Sequence, residues 1–261
     1  MKAFAEEFIN PYVAERGYRR LCEIGAQYGD NTDRLIRLGS VHVTVIDPCL
    51  EADLCAKNAG NPHIDMRRGL SLDVLGTIDE PFDCILIDGD HNWYTVYHEL
   101  KLIRERGLLV PGGTLLIHDA CWPYARRDMY YQPDMIPAEF VHPHACKGIV
   151  KGQSELADAD GVNEHLCNAV MEGGPRNGVL TAVEDFLGEY PEDYLFFRVD
   201  AQYGLAYVFR KGDPAATQAF RAYRAGILRR FRIARLKRWL DERFPRLYAV
   251  LRRARQMLRG A

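Results

Sequence analysis

Two short stretches concentrate the residues able to do chemistry. ILIDGDHNWY (85–94) runs an apolar segment into Asp88, Asp90 and His91 around one glycine, and TLLIHDA (114–120) ends in His118 and Asp119. Carboxylates and imidazoles at this density can hold a divalent cation, and a histidine with an ordinary pKa of about 6.5 can take a proton near neutrality. A third stretch, LCEIGAQYGDNT (21–32), supplies a strand end, a glycine turn and a helix start with Asp30, Asn31 and Thr32 as capping candidates. Asp47 follows Gly25 at a distance suited to accepting hydrogen bonds from both hydroxyls of a ribose. The same residues also suit a plain turn, with Gly25 and Gly29 shaping it and Asp47 capping a strand beside Pro48. The G-x-G-x-x-G dinucleotide fingerprint and a phosphate-loop lysine are both absent.

The elements that must position these groups are legible as short apolar runs. LCEIG (21–25), VTVID (43–47), CILID (84–88) and TLLIH (114–118) have the length and continuity of strands buried on both faces. Helical stretches lie between them, at 31–39 and at 97–110, the second ending before Pro111, Gly112 and Gly113. This alternation predicts an α/β fold, a doubly wound, mostly parallel seven-stranded sheet. Such sheets bind ligands at the carboxyl ends of their strands, where the acids and glycines collect. Residues 121–180 break the rhythm and are expected to form an insertion or lid. A helix over 178–190 and an antiparallel strand pair at 195–200 and 204–211 then close the sheet.

The spacing E-x-G-x-x-x-G at Glu23, Gly25 and Gly29 resembles the first motif of class I S-adenosylmethionine-dependent methyltransferases. That resemblance implies a Rossmann-like fold, with Glu23, Gly25, Ala26 and Gln27 around the methionine part of the cofactor and Asp47 on its ribose. MRRGLSLDVL (66–75) is similar to the family's third-strand motif, which implies Gly69 and Ser71 near the adenine; Leu70 stands where the family often has Asp. D-G-D-H followed by P-G-G-x-x-x-x-H-D resembles the metal-dependent O-methyltransferases of sugars and glycosylated natural products, over roughly residues 20 to 120. The resemblance implies Asp88, His118 and Asp119 as ligands of Mg²⁺ or Mn²⁺, Asp88 also as a cofactor contact, and His91 as general base. Position 118 departs from the family, which usually has an acid there, and a nitrogen donor shifts preference from Mg²⁺ towards Mn²⁺, Fe²⁺ or Zn²⁺. With no metal, His118 and His91 would share the acid–base work. Asp90 suits a helix cap as well as a site.

In the insertion, Trp122, Tyr124, Tyr130 and Tyr131 suit stacking on a sugar or aromatic acceptor, and Arg126 and Arg127 suit a phosphate or carboxylate. A lid packed on its own aromatics accounts for the same residues. HPHAC (142–146) places His142, His144 and Cys146 close together, but no second cluster at zinc-finger spacing accompanies them. Arg176 and Asn177 are candidates for the pocket edge.

The 261 residues, 48% hydrophobic and 27% charged, can bury a real core. No apolar run is long enough to span a membrane, the first residues do not read as a signal peptide, and seven scattered cysteines read as reduced thiols, so a cytoplasmic protein is expected. The net charge of −2 conceals an acidic body and a basic tail: residues 221–261 hold fourteen Lys/Arg against Asp241 and Glu242. Two domains are expected, 1–212 with the lid at 121–180, and 213–261 as an amphipathic helix pair broken at Pro245. That tail could meet a membrane surface, a protein partner or a second copy, whereas a dedicated nucleic-acid binder would have a basic body. The expected function is methyl transfer from S-adenosylmethionine to a hydroxyl of a sugar or glycosylated small molecule. The alternatives are a metal-independent methyltransferase of a phenol or carboxylate, and a non-catalytic cofactor-binding module tethered by its tail.

Overall fold

The structure, a computed structural model, describes Met1 and residues 4–243. Five strands carry the parallel part of the sheet: β1 (Arg20–Ile24), β2 (His42–Ile46), β3 (Ile64–Arg67), β4 (Phe82–Ile87) and β5 (Leu109–His118). β9 (Tyr194–Val199) and β10 (Leu205–Arg210) complete a seven-stranded sheet in the order β3-β2-β1-β4-β5-β10-β9. β10 runs against the direction of the other six strands of this sheet, pairing Leu205 with His118 on one side and with Val199 on the other. The continuous apolar runs become strands because both faces are covered: Leu21, Cys22, Ile85, Leu86, Leu116 and Ile117 are fully buried.

Helices α1 (Asn10–Arg16), α2 (Asp30–Ile36), α3 (Ala52–Lys57), α4 (Ser71–Leu75), α5 (Trp93–Glu105) and α6 (Val179–Glu189) belong to the same compact unit, Met1–Gly212. α5 starts earlier than the sequence periodicity suggests, because the Asn92 side chain accepts from Thr95 N at 2.8 Å and caps it. Asp90 therefore is not the cap; its Oδ2 accepts from the Thr95 hydroxyl at 3.0 Å. α5 and α6 are joined by the Trp93 indole donating to Asp185 at 2.7 Å, over a core that includes Leu100, Ile103, Val183 and Phe186. α2 begins at Gly29 in the left-handed region without a side-chain cap; Asn31 and Thr32 turn inward instead.

The insertion holds a three-stranded sheet, β6 (Met129–Tyr130), β7 (His144–Cys146) and β8 (Cys167–Ala169), in the order β6-β8-β7. Its centre is polar and organised on Asp128. Asp128 accepts from Trp93 N at 2.7 Å, Gly178 N at 2.6 Å and the Tyr130 hydroxyl at 2.9 Å, while Asn177 accepts from Asp128 N at 2.7 Å. Arg127, expected at an anion, is instead fully buried and donates to the carbonyls of Ala169, Val170 (3.0 Å) and Ser154 (2.7 Å). It holds the insertion together and is not available to a ligand.

A second unit begins at Asp213. α7 (Pro214–Arg243) is one continuous helix, started by Pro214 and by Asp213 Oδ1 accepting from Ala216 N at 2.8 Å. The expected second helix, beyond Pro245, lies outside the described residues. No described helix is long and apolar enough to cross a membrane.

Candidate active site

The strand order reverses between β1 and β4, and the loops leaving those two strands touch backbone to backbone. A Cβ on Gly25 would stand 2.3 Å from Asp88 O and 2.4 Å from Gly89 Cα, and Gly25 has φ +83°. Only glycine allows this contact. It places Asp88 beside the glycine turn at the carboxyl ends of the strands, the crevice where open α/β sheets take ligands.

On the β1 side, Asp47 closes the turn from below. Its Oδ2 accepts from Ala26 N at 2.9 Å and Gln27 N at 2.8 Å, and its Oδ1 from Cys49 N at 2.7 Å. A carboxylate offers about four lone-pair positions, so these three bonds leave one for a ligand. Gln27 takes a left-handed backbone, φ 49°, to complete the turn. Glu23, expected against the cofactor, is only 1% exposed and lies behind the loop, accepting from Asn31 at 2.8 Å and Thr32 at 2.5 Å. Burial pushes its pKa up to about 7, against the opposing pull of those two hydrogen bonds. Gly69 and Ser71 stand at the end of β3 and the start of α4, where Leu70 is exposed. Tyr28, after β1, is exposed as well, so two large apolar side chains edge the same end of the sheet. In the loop after β4, Asp90 Oδ1 is buried with no hydrogen-bond partner among the described residues, and Glu99 on α5 is sealed with Ser71 beside its carboxyl. Burial pushes Glu99 up to about 8 and raises Asp90 as well.

On the β4–β5 side the acids and histidines converge. Asp88, His118 and Asp119 can each offer a ligand atom, and these atoms lie within 4.8 Å of one another. His118 Nδ1 is 2.8 Å from Asp88 Oδ1 and 3.3 Å from Asp119 Oδ1. Burial alone would lower the His118 pKa, but the two carboxylates override it and push it up to about 9. Burial likewise opposes ionisation of Asp88, yet His118, the Met1 ammonium and His91 hold it well below the usual carboxylate range. The Met1 ammonium lies 2.5 Å from Asp88 Oδ2, and the Phe4 ring packs edge-on to His118 at 5.7 Å, so Met1 and Phe4 cover this end of the sheet. Asp119 adopts a left-handed backbone, φ 54°, a conformation that costs energy outside glycine and clusters at functional sites.

His91 Nδ1 lies 3.2 Å from Asp119 Oδ2, and the His91 ring stacks on Tyr124 at 5.4 Å between centroids and 7° between planes. Tyr124 is itself held by Asn163, whose amide donates to its hydroxyl at 2.7 Å. Tyr131, 59% exposed, stands 6.1 Å from His91 and is open to a ligand. Of the other aromatics considered for an acceptor, Tyr130 is buried on Asp128 and Trp122 lies under Lys151 at 6.0 Å. Arg126 pairs with Glu184 at 2.7 Å, and Arg176 covers Trp93 and Phe140. Asn177 is buried in the insertion's frame. His142, His144 and Cys146 do not form a metal-holding group among the described residues; His142 Nε2 lies 2.8 Å from Arg176 O. Asn163 and Asp128 were not recognisable as positioning residues in the sequence, since neither stands at a periodic or motif-bearing position.

The sheet order and the crevice at its switch point define an open, Rossmann-like α/β fold. Residues 22–120, from β1 through the second cluster of acids, match a family described as a methyltransferase domain. No curated protein matches the chain. Similar solved structures include a methyltransferase from Podospora anserina bound to S-adenosylhomocysteine, 15% identical, TM-score 0.49, covering 77% of this chain and 75% of that one. An O-methyltransferase from Bacillus cereus in complex with S-adenosylhomocysteine is 18% identical, TM-score 0.46, covering 77% and 78%. An O-methyltransferase from Streptomyces achromogenes involved in tomaymycin synthesis is 16% identical, TM-score 0.45, covering 77% and 77%.

Proposed function

We propose that this chain is an S-adenosylmethionine-dependent O-methyltransferase acting on a hydroxyl of a sugar or glycosylated small molecule, with a divalent cation on Asp88, His118 and Asp119. The observation that carries the reading is the continuity of the Asp88–His118–Asp119 group with the Asp119–His91 pair, on the methyltransferase sheet beside the Gly25 turn.

The residues suit both groups the reaction needs. Asp88, at the carboxyl end of β4 beside the Gly25 turn, can accept from the α-ammonium of the cofactor's methionine moiety. Asp47 keeps one lone-pair position for a ribose hydroxyl, and the unpartnered Asp90 Oδ1 can accept from an adenine amine. Two carboxylates and an imidazole whose Nδ1 is buried without a directed hydrogen bond are a donor set for a divalent ion, with Mn²⁺ favoured over Mg²⁺ by the nitrogen. When bound, the ion supplies a lowered pKa and a fixed orientation for the acceptor hydroxyl.

The protein's own part is proton transfer and shielding. Asp119 beside Nδ1 favours the His91 tautomer with its lone pair on Nε2, which takes the hydroxyl proton as the oxygen attacks the methyl group. Tyr124 fixes the plane of the imidazole by stacking. Tyr131 offers an exposed ring for an acceptor sugar face. A metal-independent reading is favoured by one observation: His118 already neutralises Asp88 at 2.8 Å.

Thermal unfolding with saturating S-adenosylhomocysteine, with and without Mn²⁺ or Mg²⁺ and against a chelator, tests the reading. Ligand at 100 times its dissociation constant stabilises by about 2.7 kcal/mol, a shift on the order of 5 to 10 °C for a chain of this size. A nucleoside shift with a further metal increment that disappears in Asp119→Ala supports it. A nucleoside shift alone, with turnover unaffected by chelation, selects the metal-independent reading. No nucleoside shift refutes both.

A further inference from the structure

Five of the seven cysteines stand apart from any thiol partner within hydrogen-bonding distance, but two do not. Cys146 on β7 and Cys167 on β8 face each other in register across the small antiparallel sheet, and their sulfurs are 3.7 Å apart. Cys146 is exposed and Cys167 half-buried. Cys22 and Cys84, by contrast, are sealed in the core, where burial raises both thiols.

Directly opposed residues of an antiparallel pair have Cα atoms about 4.5 to 5.5 Å apart, inside the range of about 4.4 to 6.8 Å that a disulfide spans. Rotation of the two side chains brings the sulfurs to bonding distance, with no backbone movement required. We propose that Cys146 and Cys167 are a redox-modification site, closing reversibly into an intramolecular disulfide that fastens the base of the insertion.

The chemistry balances with a small disulfide such as oxidised glutathione as the oxidant. The exposed Cys146 thiolate attacks one glutathione sulfur, the glutathione S–S bond breaks, and one glutathione leaves as thiol. The Cys167 thiolate then attacks Cys146 Sγ, the Cys146–Cys167 bond forms, and the second glutathione leaves. Two protein thiols are oxidised and one glutathione disulfide is reduced to two thiols. Burial and the neighbouring sulfur hold the Cys167 thiol above its ordinary value, so the second attack rests on the 3.7 Å proximity of the two sulfurs and speeds up as pH rises.

The position gives the bond a consequence. Between the two cysteines the chain forms bridges Gly148–Ala157 and Ile149–Val162 and carries Asn163, the residue that holds Tyr124. Asn168, next to Cys167 and fully buried, donates to Lys147 O and Asn163 O, both at 2.9 Å. A covalent link at the neck of this loop restrains the segment from which Asn163 reaches Tyr124.

The full chain is incubated with oxidised glutathione, quenched by alkylation and analysed by intact mass and peptide mapping, then by limited trypsin digestion. The wild type is expected to carry two fewer alkyl groups than its unoxidised, alkylated control, with a Cys146–Cys167 cross-linked peptide reversed by dithiothreitol. Cleavage after Lys147 and Lys151 is expected to slow several-fold in the oxidised form and to recover on reduction. Cys146→Ser and Cys167→Ser are each expected to keep a glutathione adduct on the remaining cysteine; should either fail to fold, alkylating the native wild type before oxidation serves the same purpose. Stable glutathione adducts on the wild type without the internal bond, a cross-link between other cysteines, or an unchanged mass would each overturn the proposal.

Discussion

His118 makes metal binding and pH a single measurement. Asp88 and Asp119 raise its pKa to about 9, from an ordinary value near 6.5, and its side chain is only 10% exposed, so solvent screens little of the effect. A metal ion needs the neutral imidazole and must therefore displace this proton. At pH 7 that displacement costs about 2.7 kcal/mol, two pKa units, and weakens the apparent affinity roughly 100-fold relative to pH 9 and above. Between pH 7 and 9 the dissociation constant for Mn²⁺ is expected to fall about tenfold per pH unit, with one proton released per ion. The metal-free protein must show the opposite trend. A folded-state pKa above the unfolded one contributes stability that is fully present below pH 6.5 and is lost as pH rises through 9, here about 3 kcal/mol. Calorimetric titration of Mn²⁺ at pH 7, 8 and 9, in buffers of differing ionisation enthalpy, reads both affinity and proton release. Affinity independent of pH across that window, or binding without proton release, would refute His118 as a ligand. His118→Asp should remove the pH dependence and move preference back towards Mg²⁺.

Three further outcomes follow from the same geometry. His91→Ala should lower turnover about 10² to 10⁴-fold while the S-adenosylhomocysteine thermal shift stays at its wild-type size, measured by methyl-transfer rate and by calorimetry. Glu99→Gln should gain stability over the wild type as pH rises: the wild-type carboxyl, with a folded pKa near 8 from burial, loses stability from its unfolded value upward, so the variant's relative gain between pH 5 and pH 8 is about 3 kcal/mol; a pH-independent difference in Tm would dismiss that account. Gly25→Ala should destabilise by about 3 kcal/mol or more and abolish the nucleoside thermal shift, because its Cβ would meet Asp88 O at 2.3 Å with φ at +83°; a folded variant that still binds would show that the two loops can part.

The sheet was legible because its strands are buried on both faces and so read as unbroken apolar runs. LCEIG, VTVID and CILID fall within a residue or two of β1, β2 and β4. β5 was read too short: it starts at Leu109 and runs through Pro111 and the two glycines, which as punctuation argue for a loop. α5 was displaced because its start is set by Asn92, whose capping role shows only once Thr95 stands over it. The clusters at 88–91 and 118–119 were visible as residue types, since ionisable groups at the ends of buried strands need a reason.

What stayed hidden is how those groups are held, and the reason is that holding is long-range while motifs are local. Arg127 reads as a free cation in a sequence of arginines and tyrosines, yet three carbonyls from residues 154 to 170 converge on it and bury it entirely. Asn163 looks like any loop residue, yet it fixes Tyr124, and Tyr124 fixes His91. Glu23 sits inside the recognised motif but works behind it, tying β1 to α2 through Asn31 and Thr32. In each case a buried polar group must find its partner somewhere in the fold, and the requirement dictates that a partner exists without dictating where in the chain it lies. The same reasoning sets Asp90 Oδ1 apart: an acceptor buried in the loop after β4, with no partner among the described residues, is one that a ligand's donor can satisfy.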